Sequence, residues 1–387
     1  MGRLLRRTGQ VLTVLLLATA CLVAWKFEEI KRLRAVTTLF NEGRIVHNFS
    51  HMDELFESAP MPIPAPPEPL PPGPAMTMPA DWEDWLARRA VTGVVVLKHG
   101  KRVHETYRLG TQQSDQRISW SVAKSYLSGL FGILLAECHV DSLDDPVTRY
   151  VPDLAGSAYD GVTIRNVLQM TSGVAFDEDY LDFWSDINKM GRVLALGGSM
   201  DDFAAGLSDR DGPAGARWHY VSIDTHVLGM VVRGATGRSL PDLLAEKLLV
   251  PMGTYGTPYY VTDGYGVAFA LGGLNVTTRD YARMGEMFRL GGALQGRQIV
   301  PRAWVEESTT PSAPSEPGKL RYGYQWWMPA DARKGEFMAR GVYGQYVYVD
   351  RQSQTVVAIN AADRSFRDTG AFDDALAMFR KISGGTQ

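Results

Sequence analysis

Ser121-Val-Ala-Lys-Ser-Tyr-Leu-Ser-Gly-Leu-Phe-Gly-Ile-Leu-Leu-Ala-Glu-Cys138 is the stretch from which the fold of this chain is read. It is strongly apolar and long enough for a helix buried in a core. Only its first turn carries reactive groups, Ser121 and Lys124. Three residues apart, their side chains share one helical face, with Cβ atoms about 5–6 Å apart. A helix start offers unpaired N–H groups and a partial positive charge, which favour an alkoxide and a tetrahedral oxyanion. A lysine against an apolar helix is partly desolvated, so its pKa falls and the neutral amine can take the serine proton. Taken alone, the same residues also describe a capping serine followed by a solvent-facing lysine.

Two further stretches supply partners. Trp218-His-Tyr-Val-Ser222 follows the turn Gly212-Pro-Ala-Gly215. Tyr220 is a candidate to share a proton with Lys124, because a phenol near a cation ionises more easily. Ser222 is a candidate hydrogen-bonding member of the same cluster. Gly341-Val-Tyr-Gly-Gln345 stands at the entry to the last hairpin, where glycines let a substrate backbone approach closely. Each has a plainer alternative: a core aromatic with a satisfied hydroxyl, and a simple strand entry.

Outward from these, Gly93-Val-Val-Val-Leu-Lys98 and Arg102-Val-His-Glu-Thr-Tyr107 flank His99-Gly-Lys101, a hairpin signal. Tyr346-Val-Tyr-Val349 and Thr355-Val-Val-Ala-Ile359 flank the polar turn Asp350-Arg-Gln-Ser-Gln354 in the same way. Phe372, Leu376, Phe379 and Ile382 fall on one face of a last helix. Strands at both ends thus bracket a helix-rich middle, roughly 140–310. The pattern predicts an α+β fold.

The N-terminus reads as an export signal. Arg3, Arg6 and Arg7 precede an apolar run from Val11 to Trp25, followed by Lys26, Glu28, Glu29 and Lys31. The run is short against the roughly 20 residues needed to span a bilayer, and close to a signal-peptide core. Ala18-Thr-Ala20 offers a cleavage site that leaves Cys21 first, although Leu17–Cys21 matches a lipoprotein signal poorly. The apolar run also continues past Ala20, as in an uncleaved anchor with its arginines inside. Every exported reading places the rest of the chain in the periplasm, on the outer side of a bacterial inner membrane. The proline-dense Met61–Pro74 stretch favours an extended, semi-stiff spacer. The expected organisation is 1–26 signal or anchor, 27–80 spacer, and 81–387 folded domain.

Net charge is −3 with pI about 6.2, so no basic field favours nucleic acid. Cys21 and Cys138 form no disulfide framework, and no Cys/His spacing suits a metal. No metal or cofactor is expected. Gly-x-Ser-x-Gly is absent, which argues against an α/β-type Ser-His-Asp hydrolase.

In order, Ser-x-x-Lys, Tyr-x-Ser and a glycine-bearing strand resemble the penicillin-recognising serine hydrolases, which include class C β-lactamases, D-alanyl-D-alanine carboxypeptidases and related esterases. Val162-Thr-Ile-Arg-Asn-Val-Leu-Gln-Met-Thr-Ser-Gly173, Leu271-Gly-Gly-Leu-Asn-Val-Thr-Thr-Arg-Asp280 and Tyr322-Gly-Tyr-Gln-Trp-Trp327 are similar too, extending the likeness over about 81–385. The resemblance implies a β-lactamase/transpeptidase-like fold, an antiparallel sheet flanked by helices with a helical lobe beside it. It implies Ser121 as acylated nucleophile, Lys124 as general base and Tyr220 as proton relay. The oxyanion would rest on backbone N–H groups of Ser121 and Gln345, with Ser222, Tyr343 and Gly344 on the substrate side. Phe176-Asp-Glu-Asp-Tyr180 followed by Ser185-Asp186 resembles the 6-aminohexanoate-dimer hydrolase branch, which makes Tyr180 a substrate contact.

One departure matters. Where β-lactamases and carboxypeptidases usually carry Lys-Thr-Gly, this chain has Val342-Tyr343-Gly344, and Arg340 is expected on the opposite strand face. Losing a charge-assisted hydrogen bond of roughly 1.5–3 kcal/mol weakens recognition of a substrate carboxylate. The expectation is therefore an esterase or linear amidase acting on a small-molecule substrate. The alternatives are a β-lactamase, a D-amino-peptidase or carboxypeptidase, or a non-catalytic penicillin-binding-like sensor. The natural substrate and the base for deacylation stay open.

Overall fold

The computed structural model describes residues 2–65, 67–180 and 182–384. Helix α1 (Gly2–Trp25) runs into α2 (Phe27–Thr38) with little interruption. Lys26 N donates to Leu22 O and Ile30 N to Lys26 O, so backbone bonding crosses the join. Within α1, Arg7–Trp25 is long and apolar enough to cross a membrane, a description that a signal sequence also meets.

Residues 27–80, expected as a spacer, are instead packed onto the domain. Ala35, Leu39, Ile45, Phe49, Met52, Phe56, Met61 and Leu70 are all buried in the main core. Strand β1 (Ser58–Pro60) pairs antiparallel with a strand some two hundred residues later. The prolines do prevent regular pairing within their own run, yet the run still docks through its remaining groups. Arg102 N donates to Pro71 O, Gly73 N to Arg102 O, and Met76 N to Val103 O. A proline-rich strand is suited to covering a sheet edge, where its missing donors face away from the ladder.

Helix α3 (Trp82–Arg88) leads into the hairpin of β2 (Val91–Lys98) and β3 (Lys101–Tyr107). Its two-residue turn, His99-Gly100, has positive φ at both positions, 52° and 76°, matching the twist of the strands. Strand β4 (Arg117–Ile118) precedes α4 (Val122–Ala136), which is buried from Val122 to Leu134. The middle contributes α5 (Asp186–Ala195), α6 (Ser222–Thr236), β5 (Tyr259–Val261), β6 (Leu274–Val276) and α7 (Thr278–Arg289). The chain closes with β7 (Arg321–Tyr322), β8 (Trp327–Met328), β9 (Glu336–Gly341), β10 (Gln345–Asp350), β11 (Thr355–Ala361) and α8 (Ala371–Ile382).

The main sheet is antiparallel, in the order β3-β2-β11-β10-β9-β8-β7, so strands from both chain ends meet at its centre. Side chains alternate between its faces. Val95, Leu97, Val347, Val349 and Val356 join the core under α7, while Val94, Val96, Tyr346, Tyr348 and Val357 pack against α3 and α8. A smaller antiparallel sheet, β1-β5-β6-β4, carries the chain to the start of α4. The fold is the expected α+β arrangement, an antiparallel sheet flanked by helices.

Candidate active site

Ser121 is the N-cap of α4, and the residue before it is bent to place it there. Ser119 N donates to Leu274 O at 2.8 Å, the last tie to the small sheet. Trp120 then adopts φ 44°, a left-handed conformation that is unusual for a bulky residue. Such strain persists where surrounding structure holds it. Here the Trp120 ring sits among Phe40, Phe49 and Tyr343, at centroid distances of 5.8, 5.5 and 6.4 Å.

Lys124, one turn into α4, is wholly buried, and its Nζ donates to Leu271 O at 2.7 Å. Burial pulls its pKa down to about 7, against the carboxylates of Glu178 and Asp224, which favour the charged form. The ammonium-bearing end lies 5.6 Å from the centre of the Tyr220 ring. Tyr220 shifts the opposite way. Burial, then the Glu178 charge, holds its phenol well above the ordinary range, and the nearby Ser121 and Ser222 hydroxyls only partly offset this. The expected easing of its ionisation by a neighbouring cation is outweighed by burial. Tyr220 is therefore a neutral phenol at working pH, while Lys124 is poised to be a neutral amine.

Two carboxylates complete this polar side, and sequence reasoning singled out neither as a site residue. Glu178 accepts the backbone N–H of Ser222 and, at 3.0 Å, the hydroxyl of Tyr180. Asp224 lies fully buried on α6, accepting the Tyr159 hydroxyl at 2.8 Å. Burial pushes the Asp224 carboxyl up to about 7, opposed by hydrogen bonds from Tyr159 and Ser172. The only signal for it in the sequence is a carboxylate within the otherwise uncharged start of α6.

The beta-lactamase family matches residues 82–378. The chain belongs to it. It is 30% identical over 328 residues to the 6-aminohexanoate-dimer hydrolase of Paenarthrobacter ureafaciens, a match covering 80% of this chain and 83% of that one. A Bacillus anthracis structure provisionally described as a 6-aminohexanoate-dimer hydrolase shares the fold with TM-score 0.78 at 20% identity, over 90% of this chain and 97% of that one. EstCE1, a hydrolase with promiscuous acyltransferase activity, shares it with TM-score 0.62 at 15% identity, over 76% and 95% of the two chains. The chain is thus a serine hydrolase of the beta-lactamase family, acting on ester or amide bonds.

On this family frame the third element sits differently from expectation. Gly341, paired with Gln345 at the hairpin end, comes closest to the nucleophile. A Cβ there would lie 2.9 Å from Ser119 O and 3.2 Å from Ser121 N, so only glycine fits. Val342 and Tyr343 line the pocket beside Ser121, whereas Gly344 and Gln345 do not. The Gln345 side chain is buried in the hairpin, donating to Ala361 O at 2.7 Å and accepting from Asn360 Nδ2 at 3.1 Å. Gly344 is a turn residue with φ 84°. Its missing Cβ also leaves room for the Ala361 methyl group. Arg340 packs over Phe372 and Trp327 and does not line the pocket, so this strand offers no cation in place of the missing lysine. The guanidinium near the pocket is that of Arg367, 5.8 Å from the centre of the Tyr180 ring.

The cavity in front of Ser121 has a volume of about 120 Å³ and opens to solvent. Tyr180 and Ser222 share its lining with Ser121. The rest is almost wholly apolar, and α2 and α5 form much of it. Tyr343 closes one side, its ring stacked on Phe40 at 4.6 Å.

Proposed function

We propose that Ser121 Oγ attacks the carbonyl carbon of an ester or linear amide, passing its proton to Lys124 Nζ as the new C–O bond forms. The tetrahedral oxyanion is held by the backbone N–H groups of Ser121 and Val342, each donor of this kind contributing roughly 3–4 kcal/mol. Val342 takes the place first expected of Gln345 because it is the pocket-lining residue that follows Gly341. As the bond to the leaving group breaks, the proton on Lys124 travels through the Tyr220 hydroxyl to the departing oxygen or nitrogen. Water then cleaves the acyl-enzyme, returning the acid and free Ser121. Tyr180, hydrogen-bonded to Glu178 at the pocket wall, contacts the bound substrate.

The observation that carries this reading is the buried Lys124 one turn behind Ser121, brought to a pKa of about 7 by desolvation. A base with pKa near the working pH is the efficient choice for proton abstraction. We further propose that α1 anchors the protein in the inner membrane, with the catalytic domain in the periplasm. Three arginines before the apolar run and the exposure of its side chains from Val11 onward support this.

The test is hydrolysis of p-nitrophenyl butyrate, the linear 6-aminohexanoate dimer and nitrocefin by the full chain and by Ser121→Ala. Ser121-dependent turnover is expected, with nitrocefin the poorest substrate because Val342-Tyr343-Gly344 offers no cation to its carboxylate. Nitrocefin cleaved faster than the butyrate would reverse the ranking. No Ser121-dependent turnover on any of the three would point to a substrate outside this panel or to a binding role, and would count against the mechanism proposed here.

A further inference from the structure

The wall facing the nucleophile has a chemical character that narrows the substrate. Among the described residues that line the pocket none is charged, and the carboxylate of Glu178 is held behind Tyr180 and Ser222. Five lining residues, Val36, Leu39, Phe40, Met52 and Phe56, lie before residue 82, where the family match begins. This wall is therefore added to the matched region by the chain's own N-terminal segment. From Phe40, stacked on Tyr343, α2 leads back through Leu39 and Val36 to Arg32, whose Nε donates to Ala195 O at the end of α5. On the facing side α5 presents Ile187, Met190, Gly191 and Leu194. The two helices thus make the apolar wall of a trough whose lining also includes Ser121.

We propose that this trough holds the acyl arm of the substrate, and that the arm is long, linear and uncharged: the enzyme cleaves esters or amides of medium- to long-chain fatty acids. The inference rests on Ser121 being the acylated nucleophile. The acyl carbon must then sit at Ser121, and an acyl tail is the part of the substrate that covalent attachment keeps in the pocket. An arm ending in an ammonium, as in a 6-aminohexanoyl group, would be stripped of water there with no carboxylate among the lining residues to receive it. A hydrocarbon arm gains from burial with each added methylene.

The experiment uses the full chain in detergent micelles and a series of p-nitrophenyl esters from acetate to decanoate, with the 6-aminohexanoate ester beside the hexanoate. The expected kcat/KM rises roughly two- to fourfold per methylene through the middle of the series. Hexanoate is preferred over 6-aminohexanoate by at least about tenfold, since the two differ by a desolvated charge. Gly191→Leu supplies the structural control. A Cβ at Gly191 meets nothing within 4 Å, so the helix accepts the new side chain, which occupies the trough. This variant should cut the decanoate-to-acetate ratio of kcat/KM by at least about tenfold, as several methylenes lose their place. A flat or falling chain-length profile, or equal turnover of the hexanoate and 6-aminohexanoate esters, would overturn the proposal while leaving Ser121-dependent hydrolysis intact. Loss of Ser121 dependence across the whole series would instead overturn the hydrolase mechanism, and the acyl trough with it.

Discussion

On one side of Ser121 stand Lys124, Tyr220, Ser222, Glu178 and Asp224, a cluster of groups that exchange or hold protons. On the other stand the uncharged residues that α2 and α5 turn to the pocket, with the Phe40–Tyr343 stack beside them. Within the polar side two pairs are held by short-range devices, while Glu178 and Tyr220 reach it from distant parts of the chain. Lys124 is fixed three residues from Ser121 by helical geometry, and Ser222 and Asp224 share the first turn of α6. The apolar side is assembled from segments far apart in the chain, such as Phe49 and Tyr343, whose rings meet at 5.6 Å. The contrast separates two tasks. The nucleophile and its base depend on fixed local spacing, whereas the shape and polarity of the acyl site depend on which distant segments are brought to cover it.

The comparison is broken most severely by Ser121→Ala. It should lower kcat by about 10⁶-fold with little change in melting temperature, as for a nucleophile acting in one unit with its base. Next comes Phe49→Ala, on the apolar side. Phe49 is fully buried against Trp120 and Tyr343, so its loss should destabilise the domain by about 3–5 kcal/mol in chemical unfolding. A change under about 1 kcal/mol, well below the usual cost of emptying a core site, would mean that residues 27–80 are a loose spacer after all.

Gly341→Ala works at the seam between the two sides. Its methyl group would press on Ser119 O and Ser121 N, displacing the oxyanion donors. We expect kcat to fall by about 10²-fold, comparable to losing one donor, with KM less affected. The smallest effect is the most diagnostic of the polar side. Acylation requires neutral Lys124, so kcat/KM should climb with pH through a limb near 7 and level off above it. The Asp224 carboxylate favours the charged lysine, so Asp224→Asn should move that limb to lower pH. A limb that stays fixed or moves upward in this variant would remove Asp224 from the electrostatics of the base.

What the sequence made legible follows the same division. The hairpin turns at His99-Gly100 and after Asp350 are local patterns, and the structure forms both, the second capped by Asp350 Oδ1 accepting Gln352 and Ser353 N–H groups. Ser121 and Lys124 were readable because one turn of helix relates them. Residues 27–80 were misread because proline density reports an extended conformation truly but says nothing of what the extended chain lies against. Its partners, Arg102, Val103 and Pro258, are non-local. The oxyanion partner proposed here, Val342, also differs from the Gln345 that the sequence suggested. Strand register decides which residue faces the nucleophile, and the Gly341–Gln345 pair turns Gln345 into the hairpin. Glu178 reads in sequence as one more acid in an exposed loop, and only the fold brings it to Ser222.

The most direct test of the account is intact-mass and peptide mass spectrometry of the enzyme quenched during turnover of a slow ester, such as p-nitrophenyl pivalate. The account predicts a pivaloyl adduct on the peptide containing Ser121, absent in Ser121→Ala and greatly slowed in forming when Lys124 is replaced by Met. Steady turnover with no adduct, or an adduct on a residue other than Ser121, would contradict it.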